Sequence, residues 1–286
     1  MSERLFCAEA EPREPLAGTA DPVDIWILIE YRPTWRARAH EDNDLPAGFR
    51  EWLSSGIQAL AAQGMRARPQ FIRQPSRSDP VLQLLLATPA GLFAHSFTDY
   101  AELLRVDLAP LAIAPSVEPV QAPHYFVCTN GQRDVCCARF GLPVYAALAE
   151  ALGNRAWQIT HLGGHRFAPN VLVLPDRALY GRVTPDALPA FLHAIESGRR
   201  AFAHLRGRTA LPRAVQAAEA FLARDDLLLD SVTADDDHTV ATFRAAAGPV
   251  RVQVGREGTP LVVVPSCGAE PEEVRPYKPV LLPPST

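Results

Sequence analysis

Three of the chain's five cysteines fall within "CTNGQRDVCCARFG" (128–141), at Cys128, Cys136 and Cys137, and "HLGGHRF" (161–167) follows with His161 and His165. Thiolates and neutral imidazoles are soft to borderline donors, which select iron–sulfur clusters, zinc or copper over magnesium or calcium. Gly163 and Gly164 disfavour a regular helix between the two histidines. They predict a tight turn that folds both rings to one side and bares backbone N–H groups able to donate to cluster sulfides. Cys136 and Cys137 are neighbours, with Cα atoms about 3.8 Å apart, short of the roughly 5.5–6 Å of an ordinary disulfide. One of the two is expected to face the site, and spacing leaves open which.

These residues need elements to carry them. "DIWILIE" (24–30) reads as a buried strand, 46–64 as a helix stopped by Gly64, "ARPQFIRQ" as a strand, "VLQLLLATPAGLFAHSF" as a hairpin turned at Pro89–Gly91, and "TDYAELLRV" as a short helix. The middle of the chain gives the same order: strand "HYFVCT", helix 142–153, strand "AWQIT", a hairpin turned at Pro175–Asp176, and a helix opened by Thr184 and Pro185. The pattern predicts an α/β protein of two thioredoxin-like β-α-β-β-β-α units related by duplication, residues 1–118 without ligands and 119–205 with them. In such a sheet the strands ending at Cys128 and before His161 are neighbours, so both loops leave at one rim. Residues 206–286 are expected to add a helix and an antiparallel meander, with turns at Asp235–Asp237, Gly248–Pro249 and Gly255–Gly258 and an extended, proline-rich tail free of obvious chemistry.

Composition narrows the function. A 48% hydrophobic, 21% charged chain of 286 residues is expected to bury a substantial core. Its net charge of −4 offers no basic field, so nucleic acid is not an expected partner. No apolar run approaches the roughly eighteen residues of a membrane helix, and the acidic N-terminal stretch is no signal peptide. An odd, clustered cysteine set argues for a reducing cytoplasm over a secreted disulfide framework. No G-x-G-x-x-G stands in the chain.

"CTNGQRDVCCARFGLPVYAAL" with "WQITHLGGHRFAPNVLVLPDRALYGRV", and the earlier "CAEAEPREPLAGTA" (7–20), resemble the sucrase/ferredoxin-like family over roughly residues 5–205. That family includes thioredoxin-like ferredoxins whose [2Fe–2S] cluster is held by C-x8-C and H-x3-H. The resemblance implies an electron carrier with Cys128, Cys137, His161 and His165 as cluster ligands, fed by a reductase or discharging to an acceptor that the sequence does not identify. Cys136 is the cysteine the pattern does not use. No carboxylate pair recommends glycoside hydrolysis. Imidazole in place of thiolate raises the potential, to about −150 to +300 mV in Rieske centres against about −400 mV in plant-type ferredoxins. A potential well above the latter, falling as pH rises through the alkaline range, is expected.

Two other readings compete. A thiol oxidoreductase would use Cys128, Cys136 or Cys137 as nucleophile, but no C-x-x-C exists and the histidines would go unexplained. A structural Cys2His2 zinc site fits the histidines, whereas C-x8-C is looser than usual zinc spacing. Of the remaining residues, Cys7 and Cys267 are expected to be packed or surface thiols. His95, His193 and His204 are read as structural, His124 as a strand residue near the site, Arg133 and Asp134 as a brace, and Pro169 as a trans turn residue.

Overall fold

The computed structural model describes residues 6–256 and 259–283. Its first half runs β1 (Ile25–Glu30), α1 (Phe49–Ala61), β2 (Ala67–Arg73), β3 (Leu82–Thr88), β4 (Gly91–Phe97), α2 (Tyr100–Leu103) and α3 (Leu108–Ile113). The second runs β5 (His124–Cys128), α4 (Val135–Leu152), β6 (Ala156–Ile159), β7 (Val171–Leu174), β8 (Ala178–Tyr180) and α5 (Leu188–Glu196). Then come β9 (Leu205–Arg208), α6 (Arg213–Leu222), β10 (Leu228–Ala234), β11 (His238–Ala245), β12 (Gly248–Gly255), β13 (Leu261–Val263), β14 (Glu272–Val274) and β15 (Lys278–Leu281).

Six α-helices and a large mixed sheet thus make an α/β molecule among the described residues. The nine-stranded sheet has the order β4-β3-β1-β2-β6-β5-β7-β8-β9. In each half the first strand is parallel to the second, antiparallel to the third, and the third and fourth form a hairpin. Within the sheet a short antiparallel pairing joins the halves, Ile72 opposite Ile159 and Arg73 opposite Gln158.

Strand alternation divides the core. Every residue of β1 is buried because the strand is internal and covered on both faces. Ile25, Ile27 and Ile29 pack in a cluster with Phe49, Leu53 and Leu60 of α1 and Leu108 of α3. The spacing of Phe49, Leu53, Gly56 and Leu60 is the buried stripe of an amphipathic helix. In the second half Tyr125 and Val127 pack with Val144 and Leu148 of α4 and Phe191 of α5. The alternate side chains, Trp26 and Leu28 from one half and Phe126, Trp157 and Leu172 from the other, meet in a single cluster that also holds Cys128 and Cys137.

Several expectations are corrected. Helix α4 begins at Val135 rather than Leu142, with Pro143 inside it. Pro143 stands in the helix interior without the N–H that would make one rung of the ladder. The longer helix also changes the membrane reading: Val135–Arg155 is long and apolar enough by length and composition to cross a bilayer. Here it lays Gly141, Val144, Tyr145 and Leu148 against the sheet and its neighbours. Thr184 makes no side-chain cap and leads into a 3₁₀ turn. The Ala168–Pro169 bond is cis, not trans. Strand β9, "LRGR", went unread because arginine and glycine dominate it, yet it closes the sheet against β8. The meander β10–β12 is present, the tail adds β14 to β13 and β15 to β12, and α6 packs Val215 and Ala218 against Phe243, Val252 and Val254. The expected Gly255–Gly258 turn lies partly outside the described residues.

Candidate metal centre

Because β5 and β6 are parallel neighbours with Cys128 opposite Ile159, the segments beyond both strand ends share one rim of the sheet. Cys128 is the last residue of β5, its N–H bonded to Asn170 O at 3.0 Å. The loop after it closes as Asp134 caps α4, Oδ1 accepting from Cys136 N at 2.8 Å. Cys136 and Cys137 therefore occupy the first helical turn, where successive side chains diverge by about 100°. Cys137 turns to the rim with Cys128, and Cys136 turns to another neighbour. The helix dipole favours thiolate at both.

Sγ of Cys128, Sγ of Cys137 and a ring nitrogen of His161 lie within 4.8 Å of one another. Cys137 Sγ is 3.9 Å from His161 Nδ1 and 3.6 Å from His165 Nδ1. The two imidazoles stack with centroids 4.0 Å apart and planes at 17°. Gly163 (φ 89°) and Gly164 (φ 70°) take the left-handed backbone that lets five residues fold back so tightly. Both thiols are 1% exposed, His165 is 9% exposed, and His161 is half-buried.

The turn is held from beneath. Buried Arg206 donates to Gly163 O (2.8 Å), Asn170 Oδ1 (2.9 Å), Thr19 Oγ1 (3.0 Å) and Thr19 O (2.7 Å), and stacks on Phe167. Asn170 Nδ2 donates to Gly164 O at 3.0 Å. From the first half, Arg68 and Gln70 of β2 donate to His161 O at 3.2 and 3.0 Å. The first half thus braces the histidine loop of the second.

The charge states at the rim are compatible with metal binding. The hydrogen bond from the Cys137 thiol, aided by His161 and the Leu162 N–H, holds the Cys128 thiol well below its ordinary value despite burial. The same hydrogen bond and burial push Cys137 up, so the pair shares one proton with the thiolate on Cys128. Burial, then the His161 ring, lowers His165 to about 4, which leaves it the neutral imidazole that binds metals. For Asp134 burial works upward, but hydrogen bonds from Ser266 Oγ and from the backbone of Cys267 and Cys136 prevail and hold it at about 2.

The structure groups the donor atoms of Cys128, Cys137 and His161, and sets His165 beside them, its ring stacked on His161 and its Nδ1 3.6 Å from Cys137 Sγ. It assigns other surroundings to several residues. Asp134 is engaged with Cys136, Ser266 and Cys267, and Arg166 pairs with Glu14 at 2.6 Å. His124 stands at the opposite end of β5 from Cys128, about 13 Å of strand away. Cys7 is packed and Cys267 partly exposed, within what the sequence led us to expect, but both converge on Cys136. No spacing rule could have found that contact, since Cys7 and Cys267 are 260 residues apart in irregular segments.

Comparisons with curated proteins and with solved structures give no match. The family described as Sucrase/ferredoxin-like matches residues 16–207, which include Cys128, Cys137, His161 and His165 and stop before α6 and the meander. With two thirds of its length so matched, the chain belongs to the sucrase/ferredoxin-like family.

Proposed function

We propose that the chain is an electron-transfer protein carrying a [2Fe–2S] cluster on Cys128, Cys137, His161 and His165. The observation that carries the reading is the meeting of two thiols and two imidazoles from four chain positions at one rim, inside the family-matched region. The donor chemistry fits: soft thiolates with neutral imidazoles suit an iron–sulfur core. Bound there, such a core takes up and releases single electrons. The chain's own part is to present a thiolate at Cys128, keep His165 neutral, exclude water from both sulfurs and hold the histidine turn through Arg206, Arg68 and Gln70. Half-buried His161 opens onto a cleft also lined by Arg38, Glu41, Arg68 and Arg133, where a reductase or acceptor could approach.

The repeated strand order supports two duplicated thioredoxin-like units, 1–118 and 119–205, with 206–286 as an addition. Unpaired clustered thiols suit a reducing cytoplasm. One observation favours a second reading, a single tetrahedral zinc ion. With Zn–S near 2.3 Å and Zn–N near 2.0–2.1 Å, a tetrahedral ion holds sulfur and nitrogen donors about 3.6 Å apart, close to the 3.6 and 3.9 Å between Cys137 Sγ and the two Nδ1 atoms. Iron and acid-labile sulfide analysis of anaerobically purified protein separates the two. The expected result is a red-brown protein with both elements, bleached by dithionite, and loss of both in His161→Ala and His165→Ala. A colourless protein whose Cys128/His161 site holds zinc overturns the electron-carrier reading.

A further inference from the structure

All five cysteines lie at the rim, but in two groups. Cys7, Cys136 and Cys267 form the second: Cys136 Sγ is 3.2 Å from Cys267 Sγ and 3.6 Å from Cys7 Sγ, and Cys267 Sγ is 3.7 Å from Cys7 Sγ. Both Asp134 carboxylate oxygens are 4.0 Å from Cys7 Sγ, and the four donors lie within 4.8 Å of one another. The residues come from an irregular N-terminal arm, the first turn of α4 and a turn between β13 and β14.

The geometry points to a second, mononuclear metal site for a thiophilic divalent cation, zinc, bound by Cys7, Cys136, Cys267 and Asp134. Three thiols within 3.7 Å of each other match the sulfur edges of one tetrahedral ion, about 3.8 Å for Zn–S of 2.3 Å. A disulfide would join two of the sulfurs and leave the third buried without a partner, whereas one cation serves all three. Asp134 Oδ2 accepts from Ser266 Oγ (2.7 Å) and Cys267 N (2.9 Å), while Oδ1 accepts from Cys136 N (2.8 Å) and otherwise faces only the Cys7 thiol (4.0 Å), whose proton a bound cation would displace, so that Oδ1 can take the fourth position. Cys7 N donates to Cys267 Sγ at 3.5 Å, the kind of N–H···S contact that orients thiolate ligands. Phe6, Phe140, Ala168 and Val264 pack around the sulfurs, burying Cys7 and Cys136 and leaving Cys267 partly exposed.

Such an ion has a structural task. Segments at positions 7 and 267 have no regular element of their own at this point, yet both are drawn onto α4. One ion ties them there and closes chain loops of more than a hundred residues each. Cys7 and Cys267 lie outside the family-matched residues 16–207. The site therefore stands independently of the cluster reading.

Metal analysis of the full chain, purified without chelator, tests it. The expectation is about one zinc per chain in addition to any iron, with zinc lost and iron and sulfide kept in Cys7→Ser and in Cys267→Ser. Partly exposed Cys267 is the variant less exposed to misfolding. On wild-type protein, zinc-edge X-ray absorption should report three sulfurs and one oxygen, which needs no variant. Zinc retained in both variants, a two-sulfur, two-nitrogen zinc shell, iron in place of zinc, or a Cys136–Cys267 disulfide found by mass spectrometry without zinc would each overturn the proposal. Zinc lost from these variants in a protein lacking iron overturns only the electron-carrier reading.

Discussion

Gly141→Ala sets two calculable effects against each other at the metal rim. In an exposed helix interior the change stabilises by roughly 0.5–1 kcal/mol, because glycine loses more backbone freedom on folding. Here a Cβ at position 141 would fall on the carbonyl oxygen of Cys128, far inside the 3.0 Å that real Cβ atoms respect, with the Cys128 carbonyl carbon at 3.3 Å. The obstacle is the backbone of a proposed ligand, not the end of a flexible side chain, so α4 and β5 must part by close to 1 Å. Overpacking of that kind costs about 1–3 kcal/mol, which exceeds the propensity gain. The net loss is about 1–2 kcal/mol, and at about 2 °C per kcal/mol for a chain of this size Tm should fall by about 2–4 °C. Because Cys128 and Cys137 ride on the two separated elements, bound metal per chain should fall as well. Thermal unfolding by circular dichroism, with metal analysis of the same sample, reads both. A rise in Tm of 1–2 °C with undiminished metal would refute the close approach and the argument built on it.

Other outcomes follow from named contacts. Arg206→Met strips buried acceptors on Gly163, Asn170 and Thr19 of their donor; at about 1–3 kcal/mol each the loss should reach at least 3 kcal/mol in urea unfolding, with weakened metal retention. A loss under about 1 kcal/mol contradicts it. Glu30 is fully buried between Arg32 and Arg77 and accepts from Gln83 N, so Glu30→Ala should cost about 3 kcal/mol by the same measurement. Asp24 is held below the ordinary carboxylate value by hydrogen bonds from the Arg66 side chain, which outweigh its burial, and by that residue's backbone N–H. A depressed carboxyl contributes stability that is fully present above its unfolded value near 3.8 and is lost as pH falls below it. Asp24→Asn should therefore lower stability at pH 7 and flatten the decline of Tm from pH 5 to pH 3; an unchanged slope counts against the pairing.

How far the sequence could be read depended on the distance over which each feature is decided. The alternation of strands with helices, the hairpins at Pro89–Gly91 and Pro175–Asp176, and the amphipathic stripe of α1 are local patterns, and all are present. The Cys128 and His161 loops could be brought to one rim because a β-α-β succession places its two strands side by side. Two features were missed: the first two turns of α4, which precede the expected start at Leu142, and the charged, glycine-bearing β9, which does not look like a strand. Neither spacing nor composition could choose between Cys136 and Cys137. That choice fell to helix phase, which is known only once the helix is seen to begin at Val135.

What only tertiary structure decided is the company each side chain keeps. Arg206 under the histidine turn, β2 bracing His161 and the meeting of Cys7 with Cys267 across 260 residues are products of chain return. Periodicity records how a residue sits on its own element. It carries no term for which distant segment packs against that element, because burial is a non-directional drive satisfied by any apolar partner of suitable shape.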